Sequence, residues 1–113
     1  MLDSDKRPWG LWEEYLNEDT YRVKRIIVEP GKRISLQKHA KRAEHWVIVA
    51  GKGTFTLNDT EQDVSAGESV FIKKADVHRV ECISKEALII IETQIGICDE
   101  DDIVRLEDDW KRN

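Results

Sequence analysis

Residues 35–51 read SLQKHAKRAEHWVIVAG, and this stretch joins a cluster of polar side chains to an apolar run. Its second half, HWVIVAG, has the β-branched and aromatic composition of a strand that ends at a glycine. Side chains alternate across a strand, so Gln37 shares a face with His39, whereas Glu44 and His45 point to opposite faces. Strands rarely collect this many polar groups for stability alone. The stretch therefore predicts a functional site on a β-scaffold.

The same strand-like pattern recurs along most of the chain. The segments YRVKRIIV (21–28), TFTL (54–57) and ALIIIETQI (87–95) are rich in β-branched residues, and turn signals such as Pro30-Gly31 and Ala66-Gly67 separate such segments. About eight short strands at spacings of about 8–12 residues predict an all-β fold, either a sandwich or a barrel.

The C-terminal end of the chain differs from this strand-like pattern. Ile103, Leu106 and Trp110 fall on one helical face behind several acidic residues, which predicts a short helix or an irregular cap. No repeat, linker or low-complexity segment divides the 113 residues. We expect a single domain, 1–113, made of an N-terminal arm (1–20), a β-barrel (21–98) and a C-terminal cap (99–113).

Composition disfavours several classes of function. Charged residues make up 36% of the chain and the net charge is −5, which argues against nucleic acid or anionic membranes as partners. No apolar run approaches the roughly 20 residues that span a bilayer, and the first residues do not read as a signal peptide, so we expect a cytoplasmic protein. Cys82 and Cys98 lack a C-x-x-C spacing, and we expect reduced thiols.

Four polar side chains become a candidate metal site if they point into one barrel. Gln37, His39, Glu44 and His78 would supply an amide oxygen, two imidazoles and one carboxylate. Such a set suits a divalent transition metal: imidazole favours zinc, iron, nickel or copper, and the oxygen donors also suit manganese. The alternative is structural, because a histidine in a strand is more often a packed or surface residue than a ligand. Spacing alone leaves both interpretations open.

The spacing also resembles a known family. Gly31-x5-Gln37-x-His39-x4-Glu44-x6-Gly51 and the later Gly67-x5-Lys73-x-Ala75-x2-His78 resemble the two motifs of the cupins, with glutamine where the first histidine usually stands. More narrowly, the strings RPWG, YRVKRIIVEPG, SLQKHAKRAEHW, GESVFI, HRVE and EDDIVRLED are similar to the C-terminal cupin domain of type II phosphomannose isomerases. The resemblance runs from the first arginine of RPWG almost to the end of the chain.

The resemblance implies roles for particular residues. It implies a double-stranded β-helix (jelly-roll barrel) and one divalent metal, which could be Zn, Mn, Co, Ni or Fe, on Gln37, His39, Glu44 and His78. It also implies that Arg42 acts in catalysis near the metal. Four other arginines would bind the phosphate of a sugar phosphate: Arg7, Arg79, Arg105 and Arg112. The alternative places Arg105 and Arg112 among solvated tail charges and Arg7 as an anchor of the arm.

The implied activity is a metal-dependent sugar-phosphate isomerase that interconverts mannose 6-phosphate and fructose 6-phosphate through an enediol. Two alternatives remain: a non-catalytic metal- or sugar-binding cupin, and another metallocupin enzyme such as a dioxygenase. The chain departs from the family pattern beside the site, where Ala40 and Lys41 replace two histidines and KKADVHRVEC lacks the family's proline, glycine and asparagine. The sequence has no glycine-rich nucleotide loop, so we expect no GTP binding.

Two tryptophans near the N-terminus predict a contact surface. Trp9 and Trp12 lie in the expected arm, and exposed tryptophans tend to mark interfaces. Because cupins often pair through sheet faces or exchanged N-terminal strands, we expect a homodimer. The alternative is that both rings cover the barrel within one chain.

Overall fold

The computed structural model describes residues 1–110, and these residues fold into eleven β-strands without a helix. The strands in chain order are β1 (Asp3–Arg7), β2 (Gly10–Asn17), β3 (Tyr21–Val28), β4 (Leu36–Lys38), β5 (Arg42–Ala50), β6 (Lys52–Leu57), β7 (Thr60–Ser65), β8 (Ser69–Ile72), β9 (His78–Cys82), β10 (Leu88–Gly96) and β11 (Val104–Glu107). Within this part of the chain no helix is long and apolar enough to cross a membrane.

The strands form two antiparallel sheets that face each other. One has six strands in the order β1-β2-β3-β10-β5-β8, and the other has five in the order β11-β4-β9-β6-β7. β3 pairs with β10 although about sixty residues separate them in sequence, so the chain crosses between sheets repeatedly. This arrangement confirms the predicted all-β cupin fold, the double-stranded β-helix.

An apolar core fills the space between the sheets at one end of the barrel. The rings of Trp46 and Phe55 meet edge to face, with centroids 5.5 Å apart. Around them lie other side chains that are almost completely buried: Val28, Ile48, Ile72, Val80, Leu88 and Ile90. The apolar faces of β5 and β10 point into this core, as their alternating burial requires.

The segment predicted as an N-terminal arm is part of a sheet. β1 and β2 form a hairpin, and β2 pairs with β3 from Gly10↔Val28 to Asn17↔Arg22. The hairpin thus extends the six-stranded sheet and places its two tryptophans against the barrel.

The predicted C-terminal helix is wrong. Residues 104–107 form β11, which pairs with β4 through Val104↔Lys38 and Arg105↔Gln37. Of the apolar stripe that suggested a helix, Leu106 is about half exposed, while Ile103 lines a cavity and Trp110 packs against the core without helical geometry. Pairing with the free edge of β4 satisfies the backbone instead.

Gly51 and Gly67 offer a matched test of this backbone, since both have positive φ, 81° and 93°. A Cβ on Gly51 would lie 2.6 Å from the Ala87 carbonyl oxygen, whereas one on Gly67 would meet no atom within 4 Å among residues 1–110. Gly67→Ala should cost about 1–2 kcal/mol of unfolding free energy and Gly51→Ala at least about 3 kcal/mol, measured by urea unfolding. Equal losses would contradict the close approach.

Candidate functional site

Three side chains from both sheets meet inside the barrel. His39 directly follows β4, His78 begins β9, and the pairing Gln37↔His78 brings these two strands together. Glu44 reaches the same point from β5 in the opposite sheet. All three residues are buried, with at most 3% of their surface exposed.

The three residues offer donor atoms within 4.8 Å of one another, as a shared metal ion requires. Nε2 of His39 lies 3.2 Å from Oε2 of Glu44, and Nε2 of His78 lies 3.9 Å from Oε1 of the same carboxylate. The two imidazole centroids are 5.2 Å apart.

Backbone carbonyls fix the orientation of both imidazoles. Nδ1 of His39 is 2.7 Å from the Asp102 carbonyl oxygen, and Nδ1 of His78 is 3.0 Å from that of Asp76. A carbonyl only accepts, so each Nδ1 carries the proton and each neutral ring presents an Nε2 lone pair. Burial lowers the pKa of both histidines, although the charge of Glu44 opposes this, and the rings are therefore neutral.

The Nε2 lone pairs face a negative oxygen. Nε2 of His78 has no hydrogen-bond partner within residues 1–110. Nε2 of His39 lies 3.2 Å from an oxygen of Glu44, and the guanidinium of Arg42, 3.3 Å from that nitrogen, supplies a positive charge beside the pair. Buried acceptors pointing at each other repel unless a cation lies between them. Two neutral imidazoles and a carboxylate, each with an outer partner, form a donor set that fits a divalent transition metal.

The carboxylate of Glu44 is surrounded by donors. Nε of Arg42 lies 2.8 Å from its Oε2, and the indole Nε1 of Trp46 lies 3.0 Å from its Oε1. Burial alone would raise the pKa of Glu44, but the hydrogen bond with Glu92 and the positive charge of Arg42 hold it below its ordinary value. Burial and the Glu44 charge raise the pKa of Glu92 well above its ordinary value, so Glu92 keeps its proton and donates a hydrogen bond to the Glu44 carboxylate.

Arg42, the predicted catalytic residue, has three contacts at this centre and is only 7% exposed. Besides Glu44, it contacts Nε2 of His39 through Nη2 at 3.3 Å and donates from Nη1 to the Asp99 carbonyl at 3.2 Å. Its guanidinium balances the Glu44 charge and occupies the lone pair of His39 that a metal would use. Its role in catalysis stays a prediction.

A cavity of about 510 Å³ opens beside Glu44, whereas His39 and His78 lie behind its wall and do not line it in the described part of the chain. Its wall includes four basic, four acidic and three tryptophan side chains: Arg7, Lys24, Arg42, Arg105, Glu44, Glu92, Glu100, Asp101, Trp9, Trp12 and Trp46. Gln37, the fourth predicted ligand, also lines it, and its Nε2 donates to Ser35 Oγ at 3.2 Å. That bond leaves the amide oxygen of Gln37 as its donor atom toward a metal.

The other predicted arginines divide between two places. Arg7 and Arg105 line the cavity. Within residues 1–110, Arg79 lies outside the cavity wall. Its Nη1 donates to Glu107 at 2.7 Å, and its Nε donates to the Ile34 carbonyl at 3.2 Å. Arg112 lies outside the described residues. The role of all four in phosphate binding stays a prediction.

Three aromatic neighbours of the site also have defined places. His45 lies on the outer sheet face beside Phe71, with ring centroids 6.3 Å apart, as strand alternation requires. Trp9 and Trp12 line the cavity, which matches the alternative in which these rings cover the barrel of their own chain. The homodimer stays a prediction.

Sequence reasoning missed several cavity residues, among them the buried Lys24, Glu92 and Gln94. Each is buried although it is charged or polar. The signal was available, because Glu92 and Gln94 continue the inward alternation of Leu88 and Ile90. Polar residues at inward positions of an otherwise apolar strand indicate a lined cavity.

Comparison with known proteins supports the fold and identifies the family. Two solved structures superpose well at low identity: the cupin domain of Schizosaccharomyces pombe Cnp3 (TM-score 0.74, 15% identity, 80% of this chain and 74% of that one) and the capsular polysaccharide assembling protein CapF of Staphylococcus aureus (0.79, 21%, 92% and 31%). The mannose-6-phosphate isomerase C-terminal family model matches residues 3–108. The chain belongs to this family of cupin domains.

Curated relatives are much longer proteins. The chain is 41% identical over 107 residues to mannose-1-phosphate guanylyltransferase ManC of Salmonella typhimurium and 43% identical over 107 residues to the alginate biosynthesis protein AlgA of Pseudomonas aeruginosa. Each alignment covers 94% of this chain and 22% of the relative. The chain thus spans about a fifth of the length of these relatives.

The names of these relatives correct the expected activity. The relative from Salmonella typhimurium, and another from Escherichia coli that is 40% identical over 107 residues, are named for guanylyl transfer to mannose 1-phosphate. The expectation of a mannose 6-phosphate/fructose 6-phosphate isomerase is therefore wrong. It came from the resemblance to the C-terminal cupin domain of type II phosphomannose isomerases, whereas a fold and its metal ligands can serve many functions.

The Glu44–Glu92 pair predicts a pH dependence for the stability of the metal-free protein. Because the folded pKa of Glu92 lies above the ordinary value of 4.5, its contribution is complete below that pH and is lost as pH rises through the folded pKa. Glu92→Gln keeps a neutral donor, so the variant should gain stability relative to wild type between about pH 5 and pH 8 in urea unfolding after chelation.

The control for this prediction is Glu61→Gln, an exposed substitution on β7 of the other sheet. Its unfolding free energy should follow the wild-type curve across the same pH range. Parallel curves for Glu92→Gln and wild type would show that Glu92 does not hold a proton in the fold.

Proposed function

We propose that this chain is a metal-binding cupin domain that binds a phosphorylated mannose in its cavity. The observation that carries the proposal is the set of Nε2 lone pairs of His39 and His78, turned by backbone carbonyls toward the buried carboxylate of Glu44. The sugar is inferred from the relatives, two of which are named for a reaction of mannose 1-phosphate. The alignment covers only 22% of the relative from Salmonella typhimurium, so the activity of that whole protein is not part of this proposal.

His39, Glu44 and His78 would hold the metal, with Gln37 as the fourth ligand. A divalent metal supplies, when bound, a Lewis-acid centre for oxygen atoms of a ligand. The protein ligands carry one negative charge in total, which leaves a net positive centre beside the cavity. Arg42 would then be released from His39 and would face an anionic ligand.

The cavity wall supports a small anionic sugar. A volume of about 510 Å³ lies in the range of small-ligand sites. Arg7 and Arg105 present guanidinium groups that suit phosphate oxygens, and Trp9 and Trp12 present flat apolar surface. The neutral carboxyl of Glu92 and the amide of Gln94 can bond to sugar hydroxyls.

Metal content tests the first half of the proposal. Wild-type protein reconstituted with Mn²⁺, Co²⁺, Ni²⁺ or Zn²⁺ and then desalted should retain about one ion per chain by elemental analysis. His78→Ala should retain less than about a tenth of that, because one of three close donors is lost.

His45→Ala is the matched control, since it also removes one imidazole, but from the outer face of the six-stranded sheet beside Phe71. It should retain the wild-type metal content. Wild-type protein that retains no metal, or His78→Ala protein that retains as much as the wild type, would rule the metal site out.

Calorimetric titration of the metal-loaded protein tests the second half. Mannose 1-phosphate should bind measurably, and mannose should bind at least about tenfold more weakly because it lacks the charge-assisted contacts. Arg7→Gln and Arg105→Gln should each weaken mannose 1-phosphate binding by about tenfold.

The control here is Arg25→Gln, which removes an arginine from the outer face of β3, where it pairs with Glu13. It should leave the affinity unchanged. Equal binding of mannose and mannose 1-phosphate would contradict a phosphate site.

A further inference from the structure

Lys24 is a buried cation in the cavity wall. Only 3% of the residue is exposed, and its Nζ lies 4.0 Å from the ring centroid of Trp12. An ammonium over an indole face is held by the ring quadrupole, which fixes its position without cancelling its charge. Lys24 therefore still requires an anionic partner.

That partner is a carboxylate from a connecting segment. Oε1 of Glu100 lies 2.6 Å from Nζ of Lys24 and 2.9 Å from Nη1 of Arg22. Glu100 belongs to residues 97–103, which join β10 to β11, and its side chain is 49% exposed. A cation of the barrel wall is thus neutralised by a carboxylate that is half in water.

The second ion pair of the cavity differs from the Lys24–Glu100 pair in the burial of its carboxylate. Arg42 and Glu44 both lie on β5, and their side chains are 8% and 1% exposed. Breaking that pair would leave a charge buried in the scaffold, which is very costly. Moving Glu100 aside would return its carboxylate to water, so an incoming oxyanion can replace it at much lower cost.

The segment can release Glu100 without leaving the barrel. The carboxylate of Asp102 accepts hydrogen bonds from the backbone N–H of Ala40 at 2.9 Å and of Lys41 at 2.8 Å. The Asp102 carbonyl also holds Nδ1 of His39. These bonds anchor the segment two residues beyond Glu100 and connect it to the candidate metal ligands.

We propose that Lys24 and Trp12, with Arg22 at the rim, form an oxyanion subsite that Glu100 occupies as an internal competitor. The subsite takes the phosphate or carboxylate group of a ligand, which displaces the Glu100 side chain. The identity of the ligand rests on the proposed function. The displacement of the Glu100 carboxylate by another oxyanion does not depend on that identity. The subsite lies on β3 and the hairpin rather than at the metal.

Inorganic phosphate is the probe. It is titrated into the metal-loaded protein while NMR follows the indole N–H of Trp12 and the backbone amide of residue 100. Glu100→Gln should bind phosphate about three to ten times more tightly than wild type, because the competitor loses its charge. Lys24→Met should weaken binding at least about tenfold, and Lys24→Arg should restore most of it.

Glu86→Gln is the control for the change in net charge, since Glu86 is exposed in the turn between β9 and β10. It should bind phosphate as wild type does. If Lys24→Met fails to fold, as its thermal unfolding would reveal, the comparison of Glu100→Gln with Glu86→Gln decides the proposal alone.

Two results would overturn the subsite: unchanged or weaker phosphate binding by Glu100→Gln, or no shift of the Trp12 indole in wild type and Glu100→Gln alike. If Glu100 only stabilises the fold and does not compete with a ligand, Glu100→Gln should bind phosphate no more tightly than wild type. Metal content, and the loss of mannose 1-phosphate affinity in Arg7→Gln and Arg105→Gln, are measured separately, so failure of the subsite is separable from failure of the proposed function. Conversely, tighter phosphate binding by Glu100→Gln would support the subsite even in protein that retains no metal.

Discussion

The buried carboxylate of Glu44 is the constraint on which the centre of this barrel depends. With 1% of its surface exposed, it keeps its charge only because donors surround it. Arg42 and Trp46 contribute from the same strand, and Glu92 contributes from β10, which pairs with β5. A slip of one residue in that register would turn Glu44 toward solvent and its outward neighbours into the core.

Two carboxyl groups share this centre with a single negative charge. Glu92 stays protonated because a second anion beside Glu44 in a desolvated site would be too costly. The result is one fixed carboxylate, two neutral imidazoles and one guanidinium, each oriented by hydrogen bonds before any ligand arrives. Preorganisation of this kind lowers the cost of binding a cation, because little has to be reordered.

The sequence predicted the strands and the main site because alternation applies to short, regular segments. It correctly separated Glu44 from His45, whose ring lies beside Phe71 on the outer sheet face. The secondary structure of the C-terminal segment was harder to predict. The spacing of Ile103, Leu106 and Trp110 suits a helix, but the free edge of β4 lies within reach and offers backbone hydrogen bonds. Local periodicity contains no information about that distant edge.

The second half of the cavity could not be read from motifs. Lys24 and Glu100 are 76 positions apart, and only the pairing of β3 with β10 and the segment after β10 bring them together. The cavity therefore has one end around Glu44, whose ion-pair partner Arg42 lies on the same strand, and another end whose counter-ion lies on a connecting segment. We assign the first end to a metal and the second to an exchangeable anion.

X-ray absorption spectroscopy of the metal-loaded protein tests the central claim most directly, because it identifies the ligands of the bound ion. The account predicts outer-shell scattering from two imidazole rings, and from one ring in His78→Ala protein that is given excess metal. A spectrum with oxygen ligands alone and no imidazole scattering would contradict it.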